Sequence, residues 1–563
     1  MLCLCAAMLG CAETSSDADD SALSTGATPA AQEATAPVGA TPSPAAPAAG
    51  TRPIASGLIV ETDEGAVRGK EAGTTRAFLG IPFAQPPTGA LRWRPPVAAA
   101  KRSAQFDARN YGSICPQELP VLGLDGRSNE DCLRVNVWAP RTAPAAKLPV
   151  MVYIHGGSFN MGSGGDQYDG QKLASAGTTV MVTINYRLGP LGFAAHEKLT
   201  AESGTSGNYA IMDQAAALAW VRRNISAFGG DPDNVTIFGE SAGGNSVCAL
   251  LVAPSASGLF HKAIVQSGLC MKPMVGRRDA EAGGVRLQKD LGCETASDPL
   301  ACMRAVPART VLEKVRQSAP NVGGAFYVDY AKEYFMQPIA DGVVVPGAIA
   351  QLLFEGKFAR VPLLHGATSD EGILFQSGLV SASPIQNEAQ FRTAVNVRFP
   401  NGADKIVPRY APPKSRNWNE ALARATGDAF FVCAARRMSK ALHQHAVPSY
   451  IYRFTAGIDS LIALDLTGRA IHGADIIYTF GNPFPLGTVP ASQRAVTTAL
   501  PSYWQQFAKT GDPNNGTLAR WEPYDPAGKS EFRLGVPLAM QPEAAAECDL
   551  WDELAAADAP PAL

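Results

Sequence analysis

The sequence predicts an α/β fold, in which a large and mostly parallel central sheet is covered by helices on both faces. Short apolar runs bounded by turn residues recur along the chain, as is typical of buried strands; they occupy residues 148–154, 179–185, 235–238, 263–266, 361–364 and 450–454. Helical stretches such as residues 213–228 lie between them. Strands that alternate with helices favour a parallel sheet. With 563 residues, 46% of them hydrophobic, the chain can bury one large core.

The first 53 residues do not share this globular pattern. Residues 2–10 form an apolar stretch of signal-peptide length before Cys11, so we expect residues 1–11 to be an export signal. The segment MLGC resembles a bacterial lipobox, in which the cysteine is lipidated; the alternative is an ordinary cleaved signal with an incidental Cys11. Ala, Pro, Ser and Thr dominate residues 12–53, which predicts a disordered tether. The globular domain is then expected to span residues 54–563 and to begin with an edge hairpin at residues 57–69.

Charge and hydropathy argue against a nucleic-acid partner and against a membrane-spanning helix. The chain carries 48 basic and 51 acidic residues, a net charge of -3, so no surplus of positive charge favours a nucleic-acid partner. No run of 18 apolar residues occurs, which argues against a membrane-spanning helix. We therefore expect the partner to be a small molecule, and a lipid anchor at Cys11 to be the one candidate attachment to a membrane.

The strongest motif surrounds Ser241. In VTIFGESAGGNSVCALL an apolar strand runs into Gly239-Glu240-Ser241-Ala242-Gly243 and then into a helix, which is the nucleophile-elbow pattern. The turn is so tight that a Cβ two residues before or after the serine would clash with a neighbouring element. Ser241 would present its hydroxyl at a helix start, where backbone N–H groups favour developing negative charge. Because a bare G-x-S-x-G is common by chance, the flanking strand and helix decide in favour of a nucleophile.

A second glycine-rich segment lies upstream. His155-Gly156-Gly157-Ser158 follows the apolar run 148–154 and resembles the HGGG-type loop of esterases and lipases. Glycines let the backbone approach a substrate closely and direct N–H groups at one point. We expect the N–H groups of Gly157, Ser158 and Ala242 to form an oxyanion hole, the alternative being a turn without chemistry.

A nucleophilic serine needs a base and a carboxylate that orients the base. His443 and His445 lie in the helix-like KALHQHAV, on its expected solvated surface, whereas His472 lies in a loop and is the better candidate. Asp370 and Glu371 both follow the predicted strand 361–364, where the acid of such a triad is found. Spacing alone leaves the choice between these two carboxylates open.

Several long motifs in a fixed order resemble the type-B carboxylesterase and lipase family, which includes the cholinesterases. The resemblance covers about residues 57–552 and rests on FLGIPFAQPPTGALRWRPP, EDCLRVNVW, NYRLGPLGF, GNYAIMDQAAALAWVRRNISAFGGDPDNVTIFGESAGG, SDEG, HGADI and FAKTGDPN. It implies the α/β-hydrolase fold and serine esterase activity, with no metal or organic cofactor. Position by position, it implies Ser241 as the nucleophile, Glu371 rather than Asp370 as the acid, and His472 as the base.

The same resemblance implies two supporting residues. Glu240 matches a glutamate that lies close to the catalytic histidine in relatives, and Ser267 matches a serine near the triad acid. A purely structural role is the alternative for each.

The cysteines fit an exported protein. Three of the eleven lie in or at the end of the signal, and the eight that remain permit 105 pairings. The resemblance implies three bridges: Cys115 with Cys132, Cys293 with Cys302, and Cys433 with Cys548. Cys248 and Cys270 stay open between a fourth bridge and free buried thiols.

The expected substrate is a small to medium, largely apolar ester, hydrolysed through an acyl-enzyme. Cholinesterases carry a choline-binding tryptophan in the first disulfide loop, and residues 115–132 contain none, so choline esters are not expected. The alternatives are a specialised lipase, a lactone or toxin esterase, a carbamate hydrolase, or a non-catalytic binding protein of the same fold. Every triad position carries a competent residue, which argues against the last. The expected location is the periplasm, the cell envelope as a lipoprotein, or the medium.

Overall fold

A computed structural model describes residues 57–117, 128–142, 145–318, 336–376, 384–400, 402–460, 466–483 and 487–557, together with residues 49 and 55. The predicted signal, Cys11 and all but residue 49 of the predicted tether lie outside this part of the chain. Strands occupy β1 (Ile59–Thr62), β2 (Gly65–Arg68), β3 (Lys70–Ala72), β4 (Thr75–Pro82), β5 (Phe106–Asp107), β6 (Arg134–Pro140), β7 (Leu148–Ile154), β8 (Val180–Ile184), β9 (Gly230–Glu240), β10 (Lys262–Gln266), β11 (Leu363–Thr368), β12 (Ser449–Phe454), β13 (Asp459–Ser460), β14 (Gly487–Thr488), β15 (Ser530–Leu534) and β16 (Ala539–Pro542).

The α-helices that the structure describes are α1 (Gln171–Ser175), α2 (Gly189–Phe193), α3 (Glu197–Ser203), α4 (Tyr209–Asn224), α5 (Ala242–Val252), α6 (Arg277–Asp290), α7 (Pro299–Ala305), α8 (Ala308–Ser318), α9 (Ile349–Phe354), α10 (Glu371–Gln376), α11 (Glu388–Arg398), α12 (Ala403–Tyr410), α13 (Trp418–Gly427), α14 (Cys433–Gln444), α15 (Ala474–Phe480), α16 (Val496–Thr510) and α17 (Ala545–Ala557). A π-helical segment, Asp428–Val432, connects α13 to α14. None of these helices is long and apolar enough to cross a membrane.

The main sheet has eleven strands in the described residues, in the order β16-β15-β12-β11-β10-β9-β7-β8-β6-β4-β3. Its centre, from β15 to β8, is parallel, and the strands on either side pair antiparallel. The predicted α/β class and mostly parallel sheet are therefore confirmed. Because the central strands are parallel, their carboxyl ends lie at one edge, and that edge carries the candidate site.

Both faces of the sheet are buried, as the apolar composition of its strands predicts. Along β7, Val150 and Val152 face a core shared with α4, α5 and α14. Met151 and Tyr153 face the opposite core, which includes residues of α1, α15 and α16. The alternation of side chains along a strand thus places one helical layer on each face.

Predicted bounds differ from the structure at several elements, among them the hairpin at residues 57–69 and the strand at 361–364. Residues 57–69 do form an antiparallel hairpin, but β1 and β2 belong to a small separate sheet with β5 rather than to the edge of the main sheet. The strand predicted at 361–364 begins at Leu363 and continues to Thr368. Gly366 lies within this strand. A side chain is excluded at this position because a Cβ there would collide with the carbonyl oxygen of Tyr452 on β12. The glycine at this position therefore permits close packing of the two strands.

Four disulfides occur in the described residues. Three of them, Cys115–Cys132, Cys293–Cys302 and Cys433–Cys548, are the pairs implied by the family resemblance. Cys248 and Cys270 form the fourth, which resolves the alternative that the sequence left open. This bridge ties α5 to the loop that follows β10, directly beside the nucleophile elbow.

Candidate active site

Ser241 occupies a strained turn between β9 and α5. Its backbone has φ 57° and ψ −121°, a combination that costs free energy for any residue with a Cβ. A Cβ on Gly239 would lie 2.5 Å from the backbone of Gly243, and a Cβ on Gly243 would collide with the carbonyl oxygen of Ile154. Glycine at these two positions is therefore what allows the elbow to form. The turn leaves Ser241 partly exposed at the helix start.

The loop after β7 lies against this elbow. A Cβ added to Gly156 would be 2.8 Å from the Glu240 carbonyl oxygen and 3.2 Å from the Cβ of Ser241, which leaves no room for a side chain there. Gly157, Ser158 and Phe159 follow with φ of 106°, 53° and 62°. Among the described residues, the N–H groups of Gly157, Ser158 and Ala242 donate to no other group, so these three donors stay available near the serine.

Glu371 and His472 meet across 101 residues of sequence. His472 Nδ1 and Glu371 Oε2 are 2.5 Å apart, and both side chains are buried. The other carboxylate oxygen, Oε1, accepts from the Ser267 hydroxyl at 2.5 Å and from the Thr368 N–H at 2.7 Å. The carboxylate is therefore held on both oxygens, and the imidazole is held by the carboxylate.

The second nitrogen of His472 faces Glu240. Nε2 lies 3.2 Å from Glu240 Oε1, but the two atoms are not aligned as a hydrogen bond, and neither has a hydrogen-bond partner in the part of the chain described. Burial alone would lower the pKa of His472, but the charges of Glu240 and Glu371 outweigh it and raise the pKa to about 9. Burial in turn raises the pKa of Glu240. The pair shares a buried site in which one proton is strongly held.

Aromatic side chains confine the imidazole. The ring of Phe375, on α10, lies 5.0 Å from the His472 ring, and that of Phe431 lies 5.2 Å from it. Phe431 belongs to the π-helical segment Asp428–Val432, an irregularity that is frequent near functional sites. Neither phenylalanine stands out in the sequence, because an aromatic residue in a helix is most often part of a core.

A buried polar network lies behind the site and was also missed. Asp475, on the first turn of α15, accepts from the Gln266 amide at 2.7 Å, and the indole N–H of Trp504 donates to Gln266 at 3.3 Å. Burial raises the pKa of Asp475 to about 6. The only sequence signal for these residues is that Gln266 and Asp475 lie next to Ser267 and His472 in the motifs IVQSG and HGADI.

The remaining polar candidates lie elsewhere. Asp370 turns away from His472 and pairs with Arg469 at 3.3 Å. His443 lies in the last turn of α14, and His445, which follows that helix, has its Nε2 2.9 Å from the Phe354 carbonyl oxygen at the end of α9. The structure thus brings together Ser241, Glu371, His472, Glu240 and Ser267, and leaves Asp370, His443 and His445 outside the cluster.

Comparison with known proteins identifies the family. The profile of the Carboxylesterase family matches residues 56–551. The chain belongs to this family. Among relatives of this carboxylesterase, the fumonisin B1 esterase of Sphingopyxis macrogoltabida is 35% identical over 87% of this chain and 90% of its own. The para-nitrobenzyl esterase of Bacillus subtilis is 36% identical over 83% of this chain and 92% of its own.

Solved structures agree with these relatives. A PNB esterase structure is 35% identical, covers 88% of this chain and 99% of its own, and superposes with a TM-score of 0.75. The family resemblance and the α/β-hydrolase fold implied by the motifs are therefore confirmed. This carboxylesterase is a carboxylic ester hydrolase, as its family and its esterase relatives establish.

Proposed function

We propose that the enzyme hydrolyses carboxylic esters through an acyl-enzyme on Ser241, with His472 as general base and Glu371 as the carboxylate that orients it. The main support is the 2.5 Å hydrogen bond between His472 Nδ1 and Glu371 Oε2. The other ring nitrogen, Nε2, has no hydrogen-bond partner in the described residues. The strained elbow that exposes Ser241 at a helix start supports the same assignment.

Each step uses a group of the site. His472 Nε2 takes the proton of Ser241 as Oγ bonds to the ester carbonyl carbon. The N–H groups of Gly157, Ser158 and Ala242 stabilise the oxyanion, and each such donor is worth on the order of 10²–10³ in rate. His472 then protonates the leaving alcohol as the ester C–O bond breaks. Water attacks the acyl-serine in the same way, which releases the carboxylic acid and restores Ser241.

Replacing the nucleophile tests this assignment. We expect Ser241→Ala to lower kcat for 4-nitrophenyl esters by about 10³-fold or more and to leave the thermal unfolding transition in place. An organophosphate should add one phosphoryl group to Ser241 of the wild-type chain and none to the variant, which intact mass and peptide mapping would detect. Turnover retained in the variant, or an adduct on another residue, would contradict the proposal.

The proposed substrates are small to medium esters that are largely apolar. A specialised esterase is the alternative with an observation in its favour, because one relative is named a fumonisin B1 esterase. A panel of esters graded in acyl chain and alcohol separates these alternatives, since a specialised enzyme would discriminate steeply against the short neutral esters.

We also propose that the enzyme is exported. Four disulfides are typical of proteins from oxidising compartments, and residues 2–10 have the composition of a signal. The mass of the mature N-terminal peptide checks the two interpretations of Cys11. A diacylglyceryl adduct on Cys11 supports a lipid-anchored enzyme, whereas an unmodified N-terminus beyond Cys11 supports a released one.

A further inference from the structure

A small pocket that contains three polar side chains lies beside the nucleophile elbow. It has a volume of about 30 Å³ and is lined by Asn245, Leu269, Cys270, Lys272, Gln337 and neighbouring apolar residues. This space holds roughly two waters and therefore suits a group of carboxylate size. The Ser241 carbonyl accepts from the N–H of Asn245 at 2.9 Å, so this wall of the pocket lies one helical turn, about 6 Å, beyond the serine.

The wall that carries Lys272 is fixed in place. The Leu269 N–H donates to Oδ1 of Asn245, and the Cys248–Cys270 disulfide joins the same loop to the next turn of α5. The Leu269 carbonyl accepts from the Lys272 N–H at 3.1 Å, which closes the turn that presents the lysine. This wall of the pocket is therefore tied to the helix that begins at Ser241.

Lys272 has no anionic partner in the described residues. Its ammonium makes one long hydrogen bond of 3.4 Å, to the neutral amide oxygen of Gln337. Burial lowers its pKa, and no carboxylate in the described part of the chain offsets that effect. An ammonium group has three donors and no acceptor, and a partly buried one is stabilised by a carboxylate. The described residues thus supply no negative charge that neutralises this ammonium.

The other polar groups of the pocket are donors as well. The Asn245 and Gln337 side chains each use their amide oxygen internally, since one accepts from the Leu269 N–H and the other from Lys272. The Leu269 N–H and the Lys272 ammonium thus fix the orientation of the two side-chain amides. Their NH₂ groups have no partner among the described residues, so an entering ligand meets an ammonium and two amide donors. Such a lining is complementary to an anionic oxygen group.

We propose that this pocket binds a carboxylate carried by the ester substrate, so that the enzyme favours esters with one free acid group on an otherwise apolar body. This inference rests on the proposed function, because the pocket is defined by its place next to Ser241. A carboxylate on either the acyl or the alcohol part of the ester offers the same chemistry, and the two are separated by experiment.

The test compares matched esters on the full chain. The acyl pair is 4-nitrophenyl hydrogen glutarate and its neutral amide, 4-nitrophenyl 4-carbamoylbutanoate. The alcohol pair is the butyrate of 3-hydroxybenzoate and that of 3-hydroxybenzamide. We expect wild-type kcat/KM to be higher for the anionic member of one pair, and Lys272→Met to lower that anionic-to-neutral ratio by about 10- to 100-fold. Lys272→Arg should retain most of the ratio, because the charge is kept.

Lys262→Met is the matched control. Lys262 begins β10, at the end of the strand away from the loop that carries Lys272. Burial lowers the pKa of Lys262 as it does that of Lys272. Its replacement should therefore have a similar effect on folding, but at a place away from the elbow. The ratio should not change in this variant. A ratio at or below one in the wild type for both pairs, or a ratio that survives Lys272→Met, would overturn the inference. Turnover of neutral esters would still support the proposed function.

A binding measurement keeps the inference testable without turnover. Calorimetry with glutarate on the Ser241→Ala chain should show binding that Lys272→Met weakens by the same factor. If neither the anionic nor the neutral esters were hydrolysed, the proposed function would fail, and glutarate binding alone would then decide on the pocket.

Discussion

The two nitrogens of His472 face regions of the molecule that are built differently. On the Nδ1 side, Glu371 receives three hydrogen bonds, from His472, Ser267 and Thr368. On the Nε2 side, Glu240 Oε1 lies 3.2 Å away without a hydrogen bond, and neither atom has a hydrogen-bond partner in the described residues. The first region holds a fixed proton position, and the second leaves a proton site unsatisfied.

This difference accounts for how one ring can be both rigid and reactive. A carboxylate with hydrogen bonds on both oxygens is held against turning away, so it sets the tautomer with the proton on Nδ1. A buried nitrogen that lacks a partner is costly in the free enzyme. In the proposed reaction, the serine hydroxyl supplies that partner and gives up its proton there. Substitutions of Glu371 on the Nδ1 side and of Glu240 on the Nε2 side should therefore affect catalysis in different ways.

The largest effect is expected from the Nδ1 side. Glu371→Gln keeps the side-chain volume, and its carbonyl oxygen should take the place of Oε1, because Thr368 and Ser267 both donate there. The amide NH₂ then faces Nδ1 and forces the proton onto Nε2, where it blocks acceptance of the serine proton. We expect kcat to fall by about 10⁴-fold, as for other triads in the wrong tautomer, with KM measured in parallel.

Asp370→Asn is the matched control, because it removes the neighbouring carboxylate. Asp370 pairs with Arg469 and does not contact His472, so kcat should change little and stability should fall by no more than about 1 kcal/mol. A loss of less than tenfold in Glu371→Gln, or equal losses in the two variants, would show that the Nδ1 side does not set the tautomer.

The ease of prediction from sequence also differs across the site. The elbow and the glycine-rich loop are contiguous motifs, because steric exclusion acts between near neighbours such as Gly239 and Gly243. The Glu371–His472 pair joins distant segments, and spacing alone did not distinguish Asp370 from Glu371. The reason lies in three dimensions: Asp370 faces Arg469, whereas Glu371 turns inward toward the Thr368 N–H. Only the family resemblance carried that information in the sequence.

Other features depended on packing that the sequence does not encode locally. The bridge between Cys248 and Cys270 requires the loop after β10 to return to α5, and a separation of 22 residues is compatible with many other arrangements. The π-helical segment that places Phe431 beside His472 has no compositional signal. The overall fold is easier to predict from the sequence than these features, because hydrophobic periodicity marks each strand and helix separately.

A smaller effect is expected from the Nε2 side. The charge of Glu240 raises the pKa of His472, and the base acts in its deprotonated form, so activity should rise with pH through a midpoint above the ordinary value of 6.5. Glu240→Gln removes the charge and should move this midpoint of kcat/KM to lower pH. The same variant should lose severalfold in kcat/KM on the alkaline plateau, because Glu240 no longer stabilises the imidazolium of the transition state.

The measurement is kcat/KM for one neutral ester from about pH 5 to pH 10. Glu64→Gln is the control: Glu64 is equally buried, but it bonds to Trp220 and Arg223 far from the elbow, so its midpoint should match the wild type. Because burial also raises the pKa of Glu240, the wild-type midpoint belongs to the coupled pair rather than to His472 alone. Equal midpoints in all three proteins would mean that Glu240 is uncharged whenever His472 titrates, and the Nε2 side would then act through shape alone.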